Sequence, residues 1–450
     1  MAPNAPVSPA GIGRYRWTVV GLLFFATTIN YLDRQVVGLL KPTLQQQFGW
    51  TELDFGRTVQ LFAASYAVGL LVFGRFIDRI GTKRGYAIAI VVWSLAAISH
   101  AFARTTAAFD AARIGLGLGE AGNFPAAIKT VAEWFPKRER ALATGIFNSG
   151  ANIGAVVAPL MVPWILGHYG WQMAFIATGG TGFIWLVFWL MTYKLPSQQP
   201  KLGKAEYDYI HSDNETTPDV VADHGPTVSW SQLLSKRQTW AFIFGKLLTD
   251  PIWWFFLFWL QDYFTTTFHL DAKKPNLYLA VLYTLVSVGS IGGGYLSSWL
   301  IGRGWSVWKA RKTAMFIFAL LVVPVIGVRF EPGIWGAVLL IGLAGAAHQA
   351  WSANIFTTAS DMFPKRAVSS VVGIGSMAGS VGGIIFPEIV GRILGAYKGA
   401  GDAQGGYAII FLICGSAYLV AWVVMHLFAP RMEPVRLDAP VAPKPAIVAS

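Results

Sequence analysis

This sequence predicts an all-α membrane protein whose twelve transmembrane helices form two pseudo-symmetric six-helix bundles. Two observations carry that expectation. Of 450 residues, 54% are hydrophobic and only 13% are charged, where a soluble chain carries about 25% charged residues. In addition, Asp361-Met-Phe-Pro-Lys-Arg366 repeats Glu133-Trp-Phe-Pro-Lys-Arg138 from 228 residues earlier. At that same offset Gly117 matches Gly345, Gly145 matches Gly373, Gly154 matches Gly382, Pro159 matches Pro387, and Lys83-Arg84 matches Arg311-Lys312. A gapless repeat spanning loops and apolar stretches alike marks two parallel copies of one membrane half.

The elements follow in order. Residues 1–14 are a Pro- and Ala-rich tail with no apolar core, so no cleavable signal is expected and the first span itself inserts the chain. The first bundle, 15–194, holds apolar stretches at 15–40, 55–77, 85–104, 107–134, 140–167 and 171–193. Each is close to the ~20 residues needed to cross a hydrocarbon core as a helix. Residues 195–238 form the longest polar stretch, a loop in which 204–210 is expected to make a short surface helix. The second bundle, 239–430, holds 239–266, 277–300, 310–328, 333–360, 367–394 and 405–429. The tail 431–450 is again Pro- and Ala-rich and is expected to be disordered.

The formal net charge is +12. Its placement argues for a bilayer and against a nucleic-acid partner. With the N-terminus cytoplasmic, basic residues outside the spans favour the inner loops roughly threefold, as the positive-inside rule requires. Both termini then face the cytoplasm, in a cytoplasmic or plasma membrane. The single cysteine, Cys414, excludes disulfides within the chain and offers no metal-ligand spacing. Gly117-Leu-Gly-Glu-Ala-Gly122 fits the dinucleotide fingerprint by letter, but it lies in an apolar helix with no preceding strand. With no catalytic motif and no metal or cofactor site, an enzyme is not expected.

Charges inside the spans are costly, about 2.5–3.5 kcal/mol each on insertion scales, and so point to function. Arg75, Lys129 and Arg392 lie nearer span ends, where snorkelling explains them. Arg34, Arg113 and Lys246 do not. Thr27, Asn30, Tyr31 and Arg34 form one polar stripe on the first helix, next to Asp33. Arg113 and Glu120 share a face of the fourth helix but are too far apart to pair, so each needs a partner from elsewhere. Lys246 and Asp250 stand four apart and can pair, with Pro251 expected to kink the helix. Buried cations suit an anionic substrate. Asp33, Glu120 and Asp250 are the candidate proton carriers, because burial and a neighbouring Arg act oppositely on a carboxyl.

Further candidates for the site are Tyr31 and Tyr66, Asn148 and Asn152 four apart, and the polar cluster His348, Gln349, Ser352 and Asn354. His348 stands at the repeat position of Glu120. Gly375, Gly379 and Gly383 make a small-residue face expected to pack closely and to slide.

Gly74-Arg-Phe-Ile-Asp78-Arg79-Ile-Gly81-Thr-Lys83-Arg84 resembles the signature loop between helices two and three of the major facilitator superfamily. The resemblance implies that Asp78, Arg79 and Arg140 form a cytoplasmic gate. Asn30-Tyr-Leu-Asp-Arg34, Gly119-Glu-Ala-Gly-Asn-Phe-Pro125, Trp134-Phe-Pro136 and Trp253-Trp-Phe-Phe-Leu-Phe-Trp259 resemble the anion:cation symporter branch. Trp171-Gln-Met-Ala-Phe175, Gly81-Thr-Lys-Arg-Gly-Tyr86 and Ala347-His-Gln-Ala350 are most similar to its hexuronate transporters. By that resemblance Arg34 binds the substrate carboxylate, Asp33 and Glu120 carry protons, and Tyr31 and Tyr66 line the site. Ala158-Pro159 departs from the Gly-Pro of antiporters and favours symport. The expected function is proton-coupled import of glucuronate or galacturonate by a monomer. The alternatives are another organic anion, such as an aldonate or aldarate, and a transport-dead sensor of the same ligand.

Overall fold

The computed structural model describes residues 12–212, 228–268, 277–331 and 333–437. Most of the tail 1–14, the middle of the loop 195–238 and residues 438–450 lie outside them. The first half runs α1 (Tyr15–Leu39), α2 (Lys41–Phe48), α3 (Glu52–Ile80), α4 (Thr82–Ser99), α5 (Thr106–Glu120), α6 (Asn123–Trp134), α7 (Lys137–Tyr169) and α8 (Trp171–Thr192). The link contains α9 (Lys204–Ile210) and α10 (Trp230–Leu234). The second half runs α11 (Arg237–Phe258), α12 (Leu260–Phe268), α13 (Leu277–Gly302), α14 (Val307–Val322), α15 (Ile334–Met362), α16 (Lys365–Gly399) and α17 (Ala403–Phe428). This is an all-α membrane fold.

Nine helices among the described residues are long and apolar enough to cross a membrane singly. The other three expected spans are α1, the pair α5–α6 and the pair α11–α12. Those three carry Asp33, Arg34, Arg113, Glu120, Lys246 and Asp250. The fourth span breaks after Glu120, and Asn30 of α1 donates to the Glu120 carbonyl at the break (3.5 Å). Irregular backbone at membrane depth is tolerated where protein surrounds it. The seventh span continues through Pro251 and breaks at Trp259.

The glycines of the fingerprint-like run have a packing task. A Cβ on Gly117 would lie 2.6 Å from the Phe62 carbonyl, and one on Gly119 would lie 2.5 Å from the Trp93 backbone nitrogen. They press α5 against α3 and α4. The Gly375, Gly379 and Gly383 face meets Phe242, Asp250 and Trp254 of α11 within the second half. It is therefore not the surface between the halves. That surface pairs α3 with α16 and α7 with α13. There a Cβ on Gly373 would lie 2.2 Å from the Leu70 carbonyl, and one on Gly294 2.2 Å from the Ala141 carbonyl.

The link is anchored rather than lying free on the surface. Glu206 of α9 is buried and accepts from the backbone N–H groups of Tyr15 and Arg16 (3.1 Å each) and from the Arg16 guanidinium (3.0 Å). It supplies acceptors to the open N-terminus of α1. Tyr209 donates to Glu139 of α7 (2.6 Å) and accepts from Arg138 (2.9 Å). Burial and the Glu139 carboxylate hold the Tyr209 phenol above its usual pKa. Past α17 the chain is packed as far as 437, contrary to the disorder expected from 431. The Val435 N–H bonds to the Met362 carbonyl (2.7 Å), and Met432 and Val435 are buried.

Candidate functional site

Two clusters of buried polar side chains stand one in each half, and Asn148–Gln349 and Phe124–Phe356 contacts bridge the halves beside them. In the first, Arg34 donates from Nε to Glu120 at 2.6 Å. The guanidinium carbon lies 4.3 Å from the Tyr66 ring centroid and 4.8 Å from that of Tyr31. Arg113 packs over Phe62 at 4.4 Å. The partners that Arg113 and Glu120 needed thus come from α1 and α3.

Several polar atoms here are buried and make no hydrogen bond: Arg34 Nη2, Arg113 Nε and Nη1, Glu120 Oε1 and both Asp33 oxygens. Buried polar groups in native proteins are almost always paired, so a concentration of open ones on charged side chains marks a candidate binding site. Asp33 points elsewhere than Arg34, lying beside Thr178 of α8 inside the first bundle.

In the second cluster Lys246 pairs with Asp250 (2.8 Å) and sits 4.0 Å from the Phe356 ring centroid. The His348 ring stacks on Trp253 (5.1 Å, 1°), and its Nδ1 bonds to the Tyr418 hydroxyl. Asn148 of α7 bridges the halves by donating to Gln349 Oε1 (2.7 Å). Ser352 Oγ lies 3.5 Å from the same amide, and Asn152 Nδ2 is buried without a partner. Asn354 does not join the site. Its amide is spent on the Gly293 and Ala350 carbonyls (3.0 and 2.9 Å), tying α15 to α13. Phe62, Trp253, Phe356 and Tyr418 complete the walls. Of these, only Trp253 stands in a motif legible in the sequence.

A latch joins the halves at the basic-loop end. The Asp78 carboxylate accepts from Lys129 (2.8 Å) and from the backbone N–H groups of Ser369 (3.3 Å) and Ser370 (2.7 Å). Arg140 donates to the Ser360 carbonyl (2.6 Å) and to Asp361 (3.2 Å). Arg311 holds the other Asp361 oxygen (3.1 Å) and the Lys137 carbonyl (2.7 Å). The motif assigns Arg79 to this gate, but Arg79 is exposed at the end of α3 and makes no bond to the described residues. Lys129, expected to snorkel, is instead buried and is Asp78's ion partner. Asp361 and Arg311 are the repeat mates of Glu133 and Lys83, so the internal repeat could have flagged them. Arg75 lies 5.6 Å from the Trp230 ring centroid, and Arg392 makes an exposed pair with Glu388.

This fold belongs to the transporters that carry solutes between two helical bundles. Residues 23–387 match the family model "Major Facilitator Superfamily", and the chain is a member of that family. It is a membrane transporter, not an enzyme. It is 32% identical over 382 residues to the hexuronate transporter of Escherichia coli K12, covering 84% of this chain and 87% of that one. It is 30% identical over 427 residues to the D-galactonate transporter of Escherichia coli O6:H1, covering 93% and 98%. The solved structure of a proton:xylose symporter superposes with a TM-score of 0.72 at 15% identity, covering 93% and 97%.

Proposed function

We propose that this chain is a proton-coupled symporter that imports a hexuronate, glucuronate or galacturonate, by alternating access. The observation that carries this reading is Arg34, held by Glu120 at 2.6 Å with its Nη2 and the Arg113 Nε and Nη1 still open. A guanidinium fork can grip a sugar-acid carboxylate in two places. Glu120 competes for the same guanidinium. Protonating Glu120 ends its ion pair and frees Arg34 for substrate, so proton and anion bind together. Asp33 offers a second proton site close behind. The likeness to hexuronate and galactonate transporters supports an anionic sugar as cargo.

In this reading the protein is a monomer in the cytoplasmic membrane with both termini inside. The latch residues Asp78, Arg140, Arg311 and Asp361 then close the cytoplasmic side. Among the described residues, hydrogen bonds and close approaches between the halves use positions 70–78, 124–148, 290–311 and 349–373. All lie from the midplane to the basic end, which suits a site loaded from outside. Rocking the bundles breaks the latch and releases the cargo inward.

The test is uptake of labelled galacturonate and glucuronate into proteoliposomes under an imposed inward proton gradient, with aldonates and aldarates as competitors. Accumulation that collapses with the gradient supports the reading. Uptake indifferent to the gradient removes proton coupling. Galactonate as the preferred cargo would move the assignment to an aldonate.

A further inference from the structure

We propose that the Lys246–Asp250 pair makes the site selective for singly charged sugar acids over doubly charged ones. The inference rests on the sugar-acid reading above and adds how the site counts charge.

Among the described residues near the site, the cationic groups with open nitrogens are Arg34 and Arg113, both in the first half. They form one pole for one carboxylate. Among the described residues, the cation on the opposite wall is Lys246, and its ammonium is paired. It lies 2.8 Å from Asp250 with its side chain 5% exposed. Its remaining surroundings include the face of Phe356, which itself stacks on Phe124 of the first half (5.2 Å). The pair, carried by α11 of the second half, therefore stands at the seam between the halves.

The pair is built in rather than incidental. Asp250 lies against Gly379 of α16, where a Cβ would come within 2.2 Å of Asp250 Oδ2. Around it the wall is neutral: His348 bonded to Tyr418, Gln349 bonded to Asn148, Ser352, and Ser376 with a buried hydroxyl lacking a partner. Such a wall suits hydroxyls and an aldehyde or hemiacetal oxygen.

Galacturonate and galactarate make a clean comparison. They share six carbons and differ in the oxidation of C1, which is a carboxylate in the second. Anchored by C6 at Arg34, galacturonate presents hydroxyls to the neutral wall. Galactarate presents a second anion to Asp250, where among the described residues the nearby cation, Lys246, is already paired. Like charges brought together in a desolvated site reject the wrong partner.

The experiment measures binding of both compounds to the purified full-length protein by calorimetry. The readout is the ratio of galactarate to galacturonate affinity in the parent, in Asp250→Asn and in the double variant Lys246→Met/Asp250→Asn. The parent should favour galacturonate by roughly tenfold or more. Asp250→Asn uncovers the ammonium and should raise the galactarate ratio by roughly tenfold. The double variant, which lacks the ammonium, should lose that gain. A parent that binds both alike overturns the proposal even if neither variant folds. So does an Asp250→Asn protein whose ratio stays unchanged. A parent that binds galacturonate selectively without a response to Asp250→Asn keeps the sugar-acid reading and sinks only the charge filter. A parent that binds neither compound sinks both.

Discussion

Arg34 and Glu120 lie 86 positions apart on different helices, and their side chains meet at 2.6 Å with the carboxylate fully buried. Neither is explained without the other. A lone buried charge costs several kcal/mol, and a pair recovers that only when its other hydrogen bonds are also made. Here Arg34 Nη2 and Glu120 Oε1 remain open. The pair is thus an incomplete structural unit, consistent with the binding role proposed for it.

Arg34→Ala should abolish sugar-acid binding and also destabilise the protein, because Glu120 is left buried and unpaired. The binding loss should reach roughly 2–5 kcal/mol. The double variant Arg34→Ala/Glu120→Gln separates the two effects. It should recover most of the lost melting temperature and none of the binding. Calorimetric titration and thermal melting in detergent check this, and a double variant that binds normally would remove Arg34 from the site.

Glu120→Gln should spare substrate exchange and abolish uphill uptake. The amide mimics the protonated carboxyl, so Arg34 stays available and the loaded carrier still crosses. Counterflow needs no net proton movement and should persist. A monoanion moving with one proton is electroneutral, whereas a second proton, on Asp33, adds one charge per cycle, about 2.3 kcal/mol per 100 mV. Potential-dependent uptake by the parent that is lost in Asp33→Asn would assign that second proton.

Asp78→Asn should loosen the basic-end latch more than it weakens binding. The change removes the ion partner of buried Lys129 and weakens the hold on the Ser369 and Ser370 N–H groups. Breaking one side of a buried pair typically costs about 3–5 kcal/mol. Adding Lys129→Met should restore stability but not the latch. Cysteine labelling at the basic-end seam in a Cys414→Ser background reads the latch directly, and unchanged labelling would overturn its role.

Glu206→Gln should lower the melting temperature without changing sugar-acid affinity. The carboxylate serves two backbone N–H groups and Arg16 at the start of α1. Losing charge-assisted bonds of this kind costs about 1–3 kcal/mol. A variant that melts with the parent would mean that α9 rests on the bundle without holding it.

The 228-residue repeat marks a duplicated bundle by itself. The buried charges are equally legible, because a bilayer makes each of them expensive wherever the chain folds. Arg34, Glu120 and the Lys246–Asp250 spacing stand out in the sequence for that reason, whereas Asp78 is flagged only by the resemblance of its loop to the family signature. Span boundaries follow from apolar length, except that two spans are interrupted, after Glu120 and at Trp259, where the apolar run continues and the helix does not. What only the tertiary structure decided was pairing. A sequence states which groups cannot stand alone in lipid, but their partners lie on other helices. Thus Arg34 meets Glu120, Lys129 turns inward to Asp78 rather than snorkelling, and Asp361 is shared by Arg140 and Arg311. Arg79, next to Asp78 in the same motif, faces outward because consecutive helical residues point about 100° apart. Asn354, two positions from Ser352, is drawn off by the carbonyls of Gly293 and Ala350. Direction around a helix is fixed by what packs against it, and that information is spread over the whole chain.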